Sequence, residues 1–346
     1  MRIMKKKSVL LLVIVLCLSL FAGCGGTEEG ASENTGSNGA TNTTMETYTI
    51  QVAHGGAETT ALHQGWLKFE ELVEEASQGN IDVQIYGNQQ LGGDREAIEG
   101  VQLGNITMAC PSTAPLAAFN DAFYVLDIPF LFADRDSVYE KLDGEAGQVL
   151  LERLKENNIV GLGYWENGFR NLTNDEVPVR EPSDLEGMVI RTMENEIHLA
   201  AFRELGANPT PMAFGELYTA LQQGTVDGQE NPYELIYATR FYEVQNYITE
   251  TQHIYSAYVP IINKDFFESL PMEYKEIIRD SMEDATTYMR ELAADNDAEF
   301  KNNMQETNEI IELTDDELQA FRDAMIPIVG MVEEIVGEEL VNAFIN

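Results

Sequence analysis

Basic residues are scarce in this sequence. Its 346 residues include 21 lysines and arginines against 59 aspartates and glutamates, which gives a formal net charge of −38 at pH 7. Proteins that bind nucleic acid through its phosphates present a basic face, and attraction to anionic lipid also depends on clustered basic side chains. The composition therefore excludes nucleic acid as the partner, and it excludes adsorption to an anionic bilayer through charge alone.

Cysteine is also scarce. The chain has Cys17, Cys24 and Cys110, and only Cys110 falls in the part of the sequence that has the composition of a folded body. A single cysteine cannot form an intramolecular disulfide, so the body must be stable without one. We expect Cys110 to be a small buried residue.

Motifs of the common enzyme classes are missing. The sequence has no G-x-x-x-x-G-K-[ST], H-E-x-x-H, G-x-S-x-G or G-x-G-x-x-G, which are the signatures of nucleotide, zinc, nucleophilic serine and dinucleotide chemistry. The four histidines match no metal-site spacing. Neither a cofactor nor a metal ion is expected, and with 59 acids a plausible carboxylate pair carries no information about glycoside hydrolysis.

The N-terminus has the pattern of an export signal. Four basic residues within 2–7 precede an apolar run of 15 residues, Ser8 to Ala22, which is shorter than the ~20 residues of a membrane-spanning helix. The run ends in Phe21-Ala-Gly-Cys24, which resembles a bacterial lipobox with Phe21 in place of the usual leucine. We predict a lipoprotein signal peptide at 1–23 and lipidation at Cys24; a plain signal peptide followed by a chance cysteine is the alternative.

A polar segment follows the predicted lipidation site. Residues 24–46 contain Gly, Ser, Thr, Asn, Ala and Glu with hardly an apolar side chain, so this segment cannot bury a core and is predicted to be a flexible tether. Together these features predict an extracytoplasmic protein that is held at the outer face of the cell membrane only by its lipid anchor.

The body alternates between strand and helix patterns. Residues 48–53 have the alternation of a strand, apolar residues within 60–77 recur at helical spacing, and 81–86 is a second strand. This alternation predicts an α/β fold. Further strands are predicted at 106–110, 159–164, 188–192, 225–228 and 253–262, and further helices at 94–103, 138–156, 194–205, 315–325 and 328–345.

A long helix is predicted near the C-terminus. From Met272 to about Asn303 the sequence has neither proline nor glycine, and its apolar residues lie close to one face. Such a helix could span two lobes. The absence of a Pro-rich linker indicates that the chain crosses between lobes several times.

Because basic residues are scarce, an arginine among apolar or small neighbours is informative. Arg170 follows an apolar strand, and Arg191 ends the predicted strand 188–192. Ligands of open α/β sheets bind beyond the carboxyl ends of the strands, where a guanidinium can hold a carboxylate with two hydrogen bonds. The alternative is that each arginine pairs with one of the many acids.

Two further segments carry candidate binding residues. Phe214 lies in a predicted loop and could stack on the carbon skeleton of a ligand, although a core aromatic is the plainer interpretation. Asn231 precedes Pro232, which favours extended backbone, so that its amide is free to face a cleft and both donate and accept.

Several motifs together resemble a known family. The run from Pro209 to Pro232, PTPMAFGELYTALQQGTVDGQENP, closely resembles the DctP-type extracytoplasmic solute receptors of tripartite ATP-independent periplasmic (TRAP) transporters. Shorter matches are QLGGDR at 90–95, LDIPFLF at 126–132, GMVIR at 187–191 and FYEVQ at 241–245. The likeness extends from about residue 48 to at least residue 300.

The resemblance implies a two-lobe architecture like that of periplasmic binding proteins. Each lobe would contain a mixed β-sheet, the ligand cleft would lie between the lobes, and a long helix would span both. On this basis lobe I is expected to comprise residues 47–167 and 257–296, and lobe II residues 168–256 and 297–346.

The resemblance also implies roles for residues. Arg191 matches the family arginine that forms a bidentate salt bridge with the ligand carboxylate, Arg170 matches a second arginine near that carboxylate, and Phe214 and Asn231 match the aromatic and amide beside it. From the other lobe we expect contacts by Arg95, His54 and the segment Pro111–Thr113.

The implied function is capture of a small organic carboxylate and its delivery to the membrane permease of a TRAP transporter. We expect a sugar acid such as a uronate, because dicarboxylate-binding relatives can carry lysine at the Arg170 position; a C4-dicarboxylate is the alternative. Two alternative hypotheses come from other functional classes: a secreted hydrolase of acidic sugars, and a receptor that only signals.

Overall fold

The computed structural model describes residues 47–345. The predicted signal peptide, the tether and Cys24 therefore lie outside the described residues. The strands are β1 Tyr48–Ala53, β2 Ile81–Tyr86, β3 Met108–Ala109, β4 Ile159–Gly161, β5 Trp165–Phe169, β6 Asn171–Asn174, β7 Val189–Thr192, β8 Asn208–Pro211, β9 Gly228–Asn231, β10 Tyr247–Thr249, β11 Tyr255–Tyr258, β12 Ile261–Asn263 and β13 Glu309–Ile311.

The helices alternate with these strands. They are α1 Ala61–Ala76, α2 Asp94–Leu103, α3 Thr113–Leu116, α4 Arg135–Asp143, α5 Glu145–Arg153, α6 Glu196–Glu204, α7 Phe214–Gln222, α8 Tyr233–Ala238, α9 Lys264–Ser269, α10 Met272–Met304, α11 Asp315–Met325, α12 Pro327–Val336 and α13 Glu338–Ile345. Short 3-10 helices cover Asp121–Asp127, Leu154–Asn157, Pro182–Leu185 and Phe241–Glu243. Across residues 47–345, every helix is too short or too polar to cross a bilayer.

Two mixed sheets organise the chain. The sheet of lobe I has the order β2-β1-β3-β12-β4, in which β1 is parallel to β2 and β3 whereas β12 is antiparallel to β3 and β4. The sheet of lobe II has the order β13-β10-β6-β9-β7-β8, in which β7 is parallel to β8 and β9 and β6 is antiparallel to β9 and β10. The predicted α/β class with a mixed sheet in each lobe is confirmed.

The chain passes between the lobes three times. β5 leads from lobe I to lobe II, β11 leads back, and these two strands pair antiparallel in a separate two-stranded ribbon. Helix α10 makes the third crossing, from β12 and α9 of lobe I to β13 of lobe II. Because the described residues form one compact unit, the predicted lobe boundaries at 167, 256 and 296 stay a prediction.

The predicted long helix is confirmed. Helix α10 has 33 residues, and it packs against α1 in lobe I and α8 in lobe II. The contact with α1 is close at Gly65, where a Cβ would lie 2.9 Å from Cγ of Met289 and 3.0 Å from Cζ3 of Trp165. Only glycine lets α1 approach α10 and β5 this closely, so Gly65 positions the helix against the ribbon between the lobes.

Two predicted helices are wrong in their continuity. The helix predicted over 138–156 is split at Gly144, where the backbone is extended (φ −78°, ψ −172°) and a Cβ would lie 2.6 Å from the carbonyl oxygen of Glu140. The helix predicted over 328–345 is split at Gly337, which has φ +89°. In both places a glycine adopts a conformation that ends one helix before the next begins.

The core confirms one further prediction. Cys110 is free and 1% exposed, in a cluster with Trp66, Trp165 and Tyr258. Burial raises the pKa of its thiol well above the usual value. It therefore behaves as a small apolar residue.

Glu234 of α8 joins the two lobes. Its Oε1 accepts hydrogen bonds from the backbone N–H of Ala61 at the start of α1, at 2.7 Å, and from Nδ2 of Asn296 in α10, at 2.8 Å. Burial raises the pKa of Glu234 to about 7, and the charges of Asp297 and Glu166 add to this, although the two hydrogen bonds oppose it. At neutral pH the fold thus holds a partly protonated carboxyl between its lobes.

The raised pKa of Glu234 predicts a pH-dependent effect of Glu234→Gln. In the unfolded chain this carboxyl ionises at its ordinary pKa, so its contribution to stability is lost as the pH rises from about 4.5 through 7. Glutamine keeps the acceptor oxygen without the charge. We expect the variant to gain about 3 kcal/mol in the free energy of unfolding at pH 8 and little at pH 4.5.

The measurement is urea unfolding at both pH values. The exposed Glu291→Gln in α10 is the matched control, and it should show the same small effect at both. An equal effect of Glu234→Gln at pH 4.5 and pH 8 would show that ionisation of the Glu234 carboxyl does not destabilise the folded state.

Candidate functional site

A cavity lies between the lobes, and we call it the inner cavity. Its volume is about 60 Å³. Lobe I and the ribbon contribute the residues Gly55, Gln89, Gly93, Asp94, Arg95, Glu96, Ser112, Pro115 and Tyr258 to its wall. Lobe II and the link to it contribute Arg170, Arg191, Met193, Glu194, Met212, Ala213, Phe214, Asn231 and Leu235. Four of the six predicted ligand-binding residues thus come from the lobe II side and one, Arg95, from lobe I.

Arg170 lies between β5 and β6, where the ribbon enters lobe II, and its side chain is fully buried. Its Nε and Nη2 donate to both carboxylate oxygens of Glu230, and Nη2 also donates to the backbone oxygen of Glu230 at 2.5 Å and to Oδ1 of Asn231 at 3.0 Å. The alternative from the sequence, pairing with an acid, is therefore correct for one edge of this guanidinium. Its Nη1 has no hydrogen-bond partner within residues 47–345.

Glu230 is the anion that holds Arg170 in place. Burial alone would raise the pKa of this carboxyl, but the charge of Arg170, the nearby imidazole of His253 and the hydrogen bonds from Arg170 hold it well below its usual range. Nε2 of His253 lies 3.4 Å from Glu230 Oε2. Burial lowers the pKa of His253 below its ordinary value, so this part of the site consists of one anion and one cation beside a neutral imidazole.

Arg191 lies near the carboxyl end of β7, where the sequence predicted it. Its Nε and Nη2 both donate to the backbone oxygen of Met212, at 3.0 and 2.7 Å. Burial lowers the pKa of Arg191 to about 10. The charge of Glu230 raises this pKa, and the charge of Arg170 lowers it further. The guanidinium therefore stays charged at neutral pH although no carboxylate forms a salt bridge with it among the described residues.

The two arginines share one feature that matters for binding. In each of them Nη1 is buried and lacks an acceptor in the part of the chain that the structure describes, while both side chains line the inner cavity. Buried donors in folded proteins nearly always have a partner. Two unbonded cationic donors in one cavity can together receive the two oxygens of a carboxylate.

Asn231 and Phe214 line the same side of the cavity. The sequence predicted a free amide at Asn231, at the end of β9. In the structure this amide is engaged, because Oδ1 accepts from Arg170 and Nδ2 donates to Oε1 of Gln229. Phe214 is the first residue of α7 and not part of a loop; its ring packs edge-on against Phe241 at 5.8 Å. Asn231 therefore fixes Arg170, and Phe214 presents a half-buried aromatic wall.

Lobe I contributes mixed charges. Arg95 lines the cavity but is about half exposed, with Nε 3.5 Å from Oε1 of Glu99. Of the predicted segment Pro111–Thr113, only Ser112 reaches the lining, and its backbone N–H donates to Oδ2 of Asp94 at 2.9 Å. Burial raises the pKa of Asp94, whereas the N–H of Ser112 and the charge of Arg191 lower it.

His54 is outside the inner cavity, which corrects the prediction. It is 3% exposed, its Nδ1 accepts from the N–H of Gly56 at 3.2 Å, and its Nε2 lies 3.1 Å from Nδ1 of His63. Burial and the neighbouring His63 lower the pKa of His54 to about 3. Both ring nitrogens are engaged within lobe I, so His54 is not part of the proposed site.

The sequence reasoning missed Asp94 and Gln89. The sequence predicted a helix over 94–103 without a binding role for Asp94, which is the first residue of α2 and lines the inner cavity. In a chain with 59 acids one more carboxylate gave no signal. Its position directly before Arg95 in the family motif was the available clue.

Comparison with known proteins identifies the family. The model of the family DctP, described as "Bacterial extracellular solute-binding protein, family 7", matches residues 52–334. The chain belongs to this family. The resemblance inferred from the motifs is thereby confirmed, and the chain is a solute receptor of the DctP type.

Three relatives illustrate the family. The 2,3-diketo-L-gulonate-binding periplasmic protein YiaO of Escherichia coli K12 is 34% identical over 80% of this chain and 84% of its own. The sugar acid binding protein DctPAm of Advenella mimigardefordensis, in complex with galactonate, superposes with a TM-score of 0.85 at 34% identity over 87% of this chain and 97% of its own. A TRAP periplasmic solute-binding protein of Sulfurospirillum deleyianum with bound succinate gives a TM-score of 0.83 at 34% identity, over 86% and 98%.

Proposed function

We propose that this receptor captures a small organic carboxylate in the inner cavity and delivers it to a TRAP permease. The observation that carries the proposal is the pair of buried, unbonded Nη1 atoms of Arg170 and Arg191. Each hydrogen bond from such a charged donor contributes roughly 1.5–3 kcal/mol net, which offsets the desolvation of the carboxylate. Closure of the lobes on the ligand shifts the population toward the form that docks on the permease.

The ligand is a sugar acid such as a uronate. The carboxylate would lie on the lobe II side, against the two arginines, and Asp94 would lie at the lobe I end. A buried carboxylate accepts hydrogen bonds from hydroxyl groups but repels a second carboxylate. The half-buried ring of Phe214 suits the carbon skeleton of a sugar acid, and two of the relatives named above bind such acids.

A C4-dicarboxylate is the second candidate. The observation in its favour is Arg95, which lines the lobe I side of the cavity and could hold a distal carboxylate. One of the relatives named above has succinate bound. Because Arg95 is half exposed and already near Glu99, it is a weaker partner than the buried arginines. We therefore place it second.

The protein binds its ligand without converting it. The family is one of solute receptors, and the unbonded donors of the two arginines would bind the carboxylate of the ligand. A secreted hydrolase would release product from a bound acidic sugar, whereas this receptor would show stoichiometric binding alone. A receptor that only signals would need no permease.

A thermal-shift screen tests the ligand class. We expect D-galacturonate and D-galactonate to raise the unfolding midpoint more than succinate at equal concentration, because stabilisation follows the logarithm of ligand concentration over Kd. A larger shift with succinate would favour the dicarboxylate, and no shift with any of the three acids would contradict the proposal.

We further propose that the protein is a lipoprotein, anchored through Cys24 at the outer face of the cell membrane. Cys24→Ser removes the thiol that would be acylated, so the variant should leave the membrane fraction for the soluble fraction. Cell fractionation and immunoblotting measure this, with Cys17→Ser as the matched control that stays with the membrane. Retention of the Cys24→Ser protein in the membrane would refute the anchor.

A further inference from the structure

A second cavity adjoins the inner cavity, and we call it the outer cavity. Its volume is about 220 Å³. It shares Gly55, Gln89 and Phe214 with the inner cavity. These three residues therefore separate two compartments of one cleft.

The outer cavity has the lining of a carbohydrate subsite. Phe214, Phe241 and Tyr218 form aromatic wall, and Asn88 and Thr239 add an amide and a hydroxyl. Aromatic faces pack on apolar surfaces while neighbouring polar groups bond hydroxyls. The lining contains no basic residue, so this compartment suits a neutral or hydroxylated group rather than the carboxylate itself.

The backbone at Gln89 is held in an unusual conformation. Asn88 and Gln89 both have left-handed φ values, +52° and +59°, which are uncommon for residues other than glycine. The N–H of Asn88 donates to the carbonyl oxygen of Gly56 at 3.0 Å, and that of Gln89 donates to the carbonyl oxygen of His54 at 3.1 Å. The turn is therefore fixed to lobe I, and it aims the Gln89 side chain in one direction.

That direction is toward lobe II. A Cβ on Gly215, the second residue of α7, would lie 2.6 Å from Oε1 of Gln89 and 3.4 Å from its Cδ. Cβ atoms on Gly55 and Gly93 would lie 3.8 Å from its Cγ and 3.7 Å from its Oε1. The carboxamide thus crosses the cleft between glycines, and a Cβ at Gly215 would displace its Oε1.

We propose that Gln89 sets the length of the ligand. Its side chain closes the inner cavity toward the outer cavity, so the receptor accepts an acid of one sugar unit and excludes an acid that carries a second unit. This inference rests on the proposed function. The inference adds two points to the proposed function. A single side chain limits the length of the ligand, and the outer cavity can receive the second sugar unit once that side chain is shortened.

Gln89→Asn tests the inference with little disturbance of the turn. Asparagine keeps the amide, tolerates the left-handed conformation better than most residues, and is one methylene shorter. The matched control is Gln78→Asn, because Gln78 is exposed and has φ +53° at the end of α1, away from the cleft. Calorimetry with D-galacturonate and with digalacturonate gives the two dissociation constants for each protein.

The wild type and Gln78→Asn should bind D-galacturonate at least about tenfold more tightly than digalacturonate. In Gln89→Asn that ratio should fall by about tenfold or more, in the range that one methylene controls in a fitted pocket. A fall of less than threefold would overturn the role of Gln89. If neither acid binds the wild type, the proposal for Gln89 fails. The proposed function fails with it only if D-galactonate and succinate also leave the unfolding midpoint unchanged, and this distinguishes the two failures.

A second substitution separates the partition from a merely structural role. Gly215→Ala places a methyl group against Oε1 of Gln89, so in the wild-type background it should displace that side chain and change the ratio in the same direction as Gln89→Asn. In the Gln89→Asn background the shorter amide no longer reaches the methyl group, and Gly215→Ala should add less than twofold. Independent, additive effects of the two substitutions would contradict the proposed contact.

Discussion

Arg191→Lys is expected to weaken binding of D-galacturonate by about thirtyfold to several-thousandfold, which corresponds to about 2–5 kcal/mol. Nε and Nη2 of Arg191 are bonded to the carbonyl oxygen of Met212, and Nη1 is unbonded. Lysine keeps the charge but has a single nitrogen, which cannot hold the carbonyl oxygen and present a rigid fork to the ligand at the same time. Calorimetry measures the change in Kd.

The matched control for Arg191→Lys is Arg203→Lys on the exposed side of α6. It makes the same substitution outside the cavity lining, so its Kd should stay within about twofold of wild type, as for a surface change. Unchanged affinity in Arg191→Lys would remove this residue from the proposed site. A parallel loss in both variants would show that the effect of Arg→Lys is not specific to the inner cavity.

Glu230→Gln is expected to lower the free energy of unfolding of the ligand-free protein by about 3–5 kcal/mol, the cost of leaving a buried charge without its partner. The substitution removes the anion beside Arg170 and leaves the charges of Arg170 and Arg191 in one buried region. A bound carboxylate then supplies an anion beside the two arginines in place of Glu230. The ligand-induced rise in the unfolding midpoint should accordingly be larger in the variant than in wild type.

Glu312→Gln is the control for this substitution. Glu312 pairs with Lys301 at 3.0 Å, but its side chain is 71% exposed, and exposed pairs contribute at most about 1 kcal/mol. A loss of stability in Glu230→Gln no larger than that of Glu312→Gln would show that Arg170 does not depend on Glu230. A smaller ligand-induced shift would show that the ligand carboxylate does not meet the two arginines.

The sequence predicted the arginines because positive charge is scarce. Arg191 lies at the carboxyl end of a strand, as its position in 188–192 indicated. Arg170 is paired with an acid and also lines the cavity, with Nη1 buried and unbonded among residues 47–345. Helix α10 was predictable because an uninterrupted stretch without Gly or Pro has few alternatives to a helix.

Other features depend on contacts that the hydrophobic periodicity of the sequence does not encode. At Gly144 the backbone is extended and a Cβ would meet the carbonyl oxygen of Glu140. A glycine within a periodic segment does not by itself predict a helix end. His54 was placed at the site by likeness, yet its ring bonds to Gly56 and His63. The partition at Gln89 depends on a contact with Gly215, 126 positions along the chain.

The net charge of −38 does not conflict with an anionic ligand. Exposed acids act on the ligand from outside the cavity, where salt screens their repulsion over about 8 Å. Inside it, Arg170 and Arg191 are buried and act at short range in a poorly screened environment. Composition therefore excludes nucleic acid correctly, whereas the charge of the ligand is decided by the local field.

The most direct test of the account is a pair of calorimetric titrations of the purified protein, one with D-galacturonate and one with D-galactose. The two sugars differ only in a carboxylate against a hydroxymethyl group, so they isolate the charge that the buried arginines are proposed to receive. The account predicts one binding site for the acid and an affinity for the neutral sugar that is lower by about thirtyfold or more. Equal affinities for the two sugars would contradict it.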